Sequence, residues 1–263
     1  MMENDDTPVG RILSRSEALR LLGMGSAALL AAWASPGGAH ASVLPNSSLV
    51  RSALDCVVRP ELTIGPYFVD GQLNRSDIRF DPVEENFSEG IPLNLKINVA
   101  SVADNRCAPL EGTQMDIWHC DALGIYSGVS LRGFNTVGQK FLRGYQLTDA
   151  KGSVQFKTIY PGWYSGRTVH IHFMIRTKGA GGQAYEFTSQ LFFDDTLTDK
   201  VHAKQPYARK GKRNTRNATD AIYKDGGRQL LLNVRGDFVN GLVATIHIGL
   251  DLTDADVGAP DLP

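Results

Sequence analysis

Between Ile91 and Val99 every second residue is apolar: Ile91, Leu93, Leu95, Ile97 and Val99. A period of two puts one row of side chains on a single face of an extended strand, and no helix of period 3.6 reproduces it. The pattern recurs. Met115 and Ile117 repeat it after a turn expected around Ala108-Pro109, and Val154, Phe156 and Thr158 repeat it after Asp149-Ala150-Lys151-Gly152. Further strand-like runs cover 168–176, 186–193, 229–234 and 242–251. Only 196–225 departs from it, a polar and irregular stretch with one short helix expected near 196–203. Strands at short spacing, joined by turns in a chain with 27 glycines, imply a mainly β fold. The expected architecture is an antiparallel β-sandwich core with long irregular loops and little helix.

The first 41 residues do not fit that pattern. Arg11, Arg15 and Arg20 form a basic leader, and the apolar run Leu21 to Ala34 follows. That run is shorter than the ~20 residues a membrane span requires. Ala39-His40-Ala41 supplies a small-x-small cleavage site, so residues 1–41 are expected to be an export signal that is removed. An uncleaved amphipathic helix is the plainer alternative. Ser14 to Arg20 is similar to a twin-arginine signal whose second arginine is serine, which leaves the Sec and Tat routes both open. Residues 42–52 then form a linker, 53–255 one domain and 256–263 a tail. With 27 Lys+Arg against 28 Asp+Glu, the net charge of -1 points to no nucleic acid and, after signal removal, to no membrane. A homo-oligomer stays open.

An exported chain can form disulfides. The odd set Cys56, Cys107 and Cys120 leaves one thiol free or paired between chains. If 113–119 is one straight strand, advancing ~3.3 Å per residue, Cys107 and Cys120 are too far apart to bond. Cys56 is then the better partner for either. The spacing is not that of a zinc site.

The segment richest in chemistry runs from Tyr160 to Phe173, Tyr-Pro-Gly-Trp-Tyr-Ser-Gly-Arg-Thr-Val-His-Ile-His-Phe. In a strand His170 and His172 share a face, while Val169, Ile171 and Phe173 point into the core behind them. Two adjacent imidazoles can form a metal pair or simply be polar groups on an exposed face. No carboxylate lies in the run to complete the iron(II) facial triad. Instead Tyr164 stands just upstream, and a second tyrosine, Tyr126, closes Asp116-Ile117-Trp118-His119-Cys120-Asp121-Ala122-Leu123-Gly124-Ile125-Tyr126-Ser127. Tyrosine ionises near pH ~10. A hard trivalent cation can hold it as phenolate at neutral pH, so two phenolates with two imidazoles would suit iron(III). Taken singly, each tyrosine reads as a packed aromatic with a satisfied hydroxyl.

These two stretches, together with Gly65-Pro66-Tyr67-Phe68 and Phe141-Leu142-Arg143-Gly144-Tyr145-Gln146, resemble the intradiol ring-cleavage dioxygenases. Those are the catechol 1,2- and protocatechuate 3,4-dioxygenases and their exported relatives. The resemblance spans about Cys56 to Leu250. It implies Fe(3+) as cofactor, held by Tyr126, Tyr164, His170 and His172. It implies a small aromatic diol and O2 as substrates, with cleavage between the two hydroxyl-bearing carbons to a muconate-type diacid. Tyr164 would be the ligand displaced by substrate. Arg167 matches the family's active-site arginine, Gln190 a glutamine near the substrate, and Gly65, Pro66 and Tyr67 a loop beside the pocket. The chain departs from the pattern at Ile64, where many relatives carry an acid, and in its shorter loop between Tyr164 and His170. Read without the resemblance, Arg167 is a surface ion pair and Gln190 a cross-strand hydrogen-bonding residue. A zinc hydrolase using His119 or His202 as third ligand, and a binding module with a degenerate site, are the competing classes.

Overall fold

The computed structural model describes residues 57–103, 106–131, 133–179 and 181–252. The expected leader, the linker, the tail and Cys56 lie outside them. In chain order the strands are β1 (Phe80–Asp81), β2 (Asn86–Phe87), β3 (Pro92–Ala103), β4 (Arg106–Pro109), β5 (Gln114–Trp118), β6 (Ser130–Leu131), β7 (Phe134–Asn135), β8 (Arg143–Leu147), β9 (Ser153–Ile159), β10 (His170–Lys178), β11 (Ala184–Phe192), β12 (Asn233–Asp237) and β13 (Gly241–Leu250). Among the described residues the α-helices are two, α1 (Asp195–His202) and the four-residue α2 (Ala221–Lys224). Neither is long and apolar enough to cross a membrane. The fold is mainly β, as the alternation implies.

Two larger sheets carry it. One runs β11-β10-β5-β8, every pair antiparallel. The other runs β12-β13-β3-β4, with β9 also on β3. Its β13–β3 pairing is parallel, from Leu242↔Leu93 to Leu250↔Ser101, whereas the other pairs of described strands are antiparallel and further parallel contacts are single bridges such as Val58↔Gly249. Leu93, Leu95, Ile97 and Val99 of β3 are buried together with Ile171, Phe173 and Ile175 of β10, so the inner faces of both sheets share one core. Each such side chain contributes about 1.5–3 kcal/mol on burial.

Two local expectations are corrected. Ala108 and Pro109 are strand residues of β4, paired with Ser101 and Ala100, and the chain has already reversed before Arg106. The run 229–234 is not one strand: Gly227–Leu230 is a 3-10 turn and pairing with β13 begins at Asn233. Short apolar runs do not distinguish a buried turn from a strand. β8 was not marked by alternation; it is a sheet edge whose register follows its partner β5. The helix expected near 196–203 is α1, capped by Asp194, whose carboxylate accepts from Leu197 N at 2.9 Å. Cys107 is disulfide-bonded while Cys120 is a buried free thiol, so these two are not joined to each other.

Candidate metal centre and active site

β10 is buried on both faces. Ile171, Phe173 and Ile175 enter the core, whereas His170, His172 and Met174 face the other way, as alternation requires. On that second face the sheet register aligns three side chains on one rung: Trp118 of β5, His172 of β10 and Gln190 of β11. The Trp118 ring stacks on the His172 ring at 5.1 Å with 4° between planes. Gly65 closes on the imidazole too, so closely that a Cβ there would sit 3.0 Å from His172 Cε1. Its φ of +68° needs glycine as well.

His170 and His172 are only 2% and 1% exposed, which removes the reading of two polar groups on a solvated face. Their Nε2 atoms lie 3.0 Å apart, and the Tyr164 hydroxyl is 3.1 Å from His170 Nε2. His170 Nδ1 faces the Thr168 carbonyl at 2.6 Å, so a neutral ring carries its proton there and presents the Nε2 lone pair to the cluster. His172 Nδ1 has no hydrogen-bond partner, and its ring is oriented by Trp118 and Gly65. Burial, with the nearby Arg167 charge, holds both histidines well below their usual pKa and therefore neutral at pH 7.

Tyr126 is 1% exposed and its ring stands 5.7 Å from that of Tyr164 and 6.2 Å from that of His172. Its hydroxyl is buried without a hydrogen-bond partner. Burial pushes Tyr126 well above the usual phenol range, and the Tyr164 hydroxyl beside it adds to the rise. Burial also raises Tyr164, partly offset by the charge of Arg167. In the protein alone both are phenols. Neutral imidazole nitrogens and an orphaned buried phenol turned to one point fit a hard cation, which would compensate the burial and draw off the phenolic protons. The set is therefore suited to iron(III). Among the described residues no trio of His, Cys, Asp or Glu could hold an ion. His119 is engaged by Cys120 O at 2.8 Å and Thr158 Oγ1 at 2.7 Å, and His202 by Pro161 O at 3.0 Å. His119 is thus engaged at both nitrogens, and His202, which packs against Tyr160 and Tyr207, joins no group of three such residues, so the hydrolase reading lacks its third zinc ligand among the described residues.

Arg167 is not a surface ion pair. Its side chain is 14% exposed and donates from Nε to Asp220 Oδ2 at 2.9 Å and from Nη2 to Gln190 Oε1 at 2.6 Å. Gln190 in turn donates to the Thr63 carbonyl at 2.9 Å, which ties the arginine to the loop bearing Gly65, Pro66 and Tyr67. Tyr67 stacks on Tyr126 at 4.2 Å and meets Tyr164 edge-on at 5.8 Å; Pro66 is exposed at the turn. Two groups escaped the sequence reading. Buried Arg143 donates from Nε to Ser127 Oγ at 2.8 Å and from its terminal nitrogens to the Tyr67 carbonyl at 3.3 Å, clamping the Tyr67 loop to the Tyr126 segment. Asp220 lies 53 residues from Arg167 in the irregular stretch, and its only local signal is that it precedes a short helix.

Two buried imidazoles and two tyrosines gathered in a mainly β protein make a donor set of the kind that suits a non-haem metal ion. A family model described as Dioxygenase (Dioxygenase_C) matches residues 64–215. Among solved structures, an intradiol ring-cleavage dioxygenase from Tetranychus urticae is 31% identical, with TM-score 0.63 over 74% of this chain and 95% of that one. The dioxygenase domain of a dioxygenase carbohydrate-binding protein fusion from Streptomyces sp. SirexAA-E is 30% identical, with TM-score 0.52 over 74% of this chain and 99% of that one. A chlorocatechol 1,2-dioxygenase of Pseudomonas putida is 25% identical over 155 residues, 49% of this chain, and the chain spans about half, 52%, of that curated relative. The chain belongs to the intradiol ring-cleavage dioxygenase family, whose members use non-haem iron(III).

Proposed function

We propose that this protein binds iron(III) through Tyr126, Tyr164, His170 and His172 and cleaves catechol-type rings with O2 between the hydroxyl-bearing carbons, releasing muconate-type diacids. The observation that carries this is the convergence of the Tyr164 hydroxyl and both histidine Nε2 atoms, at 3.1 and 3.0 Å, beside the unpartnered Tyr126 hydroxyl. Iron(III) bound there would supply Lewis acidity, gathering both catechol oxygens and drawing electron density from the ring. The two tyrosines are not equivalent. Tyr126 is fully buried and stacked under Tyr67, whereas Tyr164 is partly exposed and sits on the short turn before β10. With iron bound, Tyr164 would be the ligand that yields to substrate, and its phenolate oxygen would serve as acceptor for a catechol proton. The Arg167 guanidinium would stabilise negative charge on the activated ring. Gln190 holds Arg167 and the Thr63 loop in register with His172. Ile64, Tyr67, Phe68 and Val129 pack around Trp118 and Tyr126.

Oxygen uptake over a panel of substituted catechols, with product spectra and mass after oxygen-18 labelling, tests the reading. Both labelled oxygens in a ring-opened diacid are expected. A 2-hydroxymuconic semialdehyde would overturn it. Export is proposed separately: the disulfide at Cys107 suits an oxidising compartment, and cell fractionation should place the mature protein outside the cytosol.

A further inference from the structure

We propose that Asp220 is a positioning residue for ring cleavage, acting through Arg167. The Asp220 side chain is 0% exposed. Its Oδ2 accepts from Arg167 Nε at 2.9 Å and from Thr168 N at 2.7 Å, and its Oδ1 from Tyr223 N at 2.9 Å. A carboxylate so enclosed is tolerated because it is paired and fully hydrogen-bonded. It has no exposed oxygen for a ligand, so its contribution passes through the groups it holds.

The principal one is the guanidinium. A free arginine side chain samples many rotamers, and that freedom must be lost before the planar group can meet a ligand in one orientation. Asp220 on Nε and Gln190 on Nη2 remove that freedom in advance by fixing two of the three nitrogens. Nη1 takes no hydrogen-bond partner among the described residues and is the donor left for a ligand. Asp220 thus fixes where the guanidinium points, with Gln190 holding its other side. The surrounding contacts serve the same turn: Thr168 Oγ1 donates to Asn217 Oδ1 at 2.6 Å, and Asn217 Nδ2 to the Phe193 carbonyl at 2.8 Å. The irregular stretch after α1 is in this sense a brace for the segment between Tyr164 and His170.

The competing role is structural, since Asp220 also caps α2. Asp220→Ser separates the two, because serine is an equally good helix cap but too short to reach Arg167. With unsubstituted catechol, the serine variant should keep full iron per chain and the visible absorption band that phenolate bound to iron(III) would give. Anaerobic catechol titration of that band should give affinity within about threefold of wild type. Turnover should fall about 10- to 100-fold, the range of one misaligned electrostatic group. The Asp220→Ser/Arg167→Met double variant should be no slower than Arg167→Met alone within about twofold, because two residues acting as one unit are not additive. Wild-type turnover in Asp220→Ser, losses that multiply in the double variant, or loss of iron would each overturn the proposal. If the serine variant does not fold, Asp220→Asn is read by the same criteria, since one amide group cannot accept from Arg167, Thr168 and Tyr223 together. The inference rests on Arg167 acting on bound catechol. Full turnover in Arg167→Met sinks that reading, whereas a slow Arg167→Met beside a normal Asp220 variant sinks only the role of Asp220.

Discussion

Gly65→Ala tests whether packing rather than hydrogen bonding aims the His172 ring. At φ +68° the backbone of Gly65 is left-handed, and an added Cβ would lie 3.0 Å from His172 Cε1 and 3.5 Å from Nε2. A side chain in that backbone region costs about 1–2 kcal/mol by itself. Gly112 provides the control: its φ is +69°, and nothing lies within 4 Å of the added atom. Gly112→Ala should therefore lose only the backbone cost, a melting shift of about 2–8 °C at ~2–4 °C per kcal/mol for a chain of this size. Gly65→Ala carries that cost and the contact. The imidazole would have to give by a few tenths of an ångström, yet it is also stacked on Trp118 at 5.1 Å. Overpacking of this kind adds about 1–3 kcal/mol. Any tilt of the ring misdirects Nε2, so iron retention should weaken on the order of 10- to 100-fold, the scale of lost ligand orientation. Thermal melts of both variants with and without iron, and competition against a chelator, read the two effects. Equal melting and equal iron retention in Gly65→Ala and Gly112→Ala would refute the reasoning.

Alanine at His170 or His172 should each remove bound iron and all ring cleavage; elemental analysis showing full occupancy in either variant would contradict the ligand set. Asp116, whose carboxylate sits 2.9 Å from Gln114 Nε2 and 3.5 Å from Arg176, is raised by burial to about 6. The native state then binds its proton more tightly than the unfolded chain does, so this contribution to stability is fully present below about pH 4 and is lost as pH rises through about 6. Denaturant melts between pH 4 and 7 should show a decline on the order of 1–2 kcal/mol that Asp116→Asn flattens, and an unchanged slope in that variant would assign the decline elsewhere.

Strand identity was legible wherever the period of two was long enough to exclude a helix, as in β3 and β10, because side-chain direction in a strand depends only on the parity of the residue number. That parity also separated His170 and His172 from Ile171 and Phe173 with no tertiary information. It did not reach the ends of short runs, so the turn at Gly227–Leu230 and the strand at Ala108–Pro109 were misread. Nor could it supply pairing. The rung of Trp118, His172 and Gln190 exists because two antiparallel registers coincide at His172, and a slip of one residue would turn every neighbour to the other face. The meeting of Tyr126 with the histidines, the Arg143 clamp on Tyr67 and the hold of Asp220 on Arg167 join positions up to 76 residues apart. Local periodicity carries no record of such distances. They are decided when the sheets close on a common core and bring these polar groups together away from water.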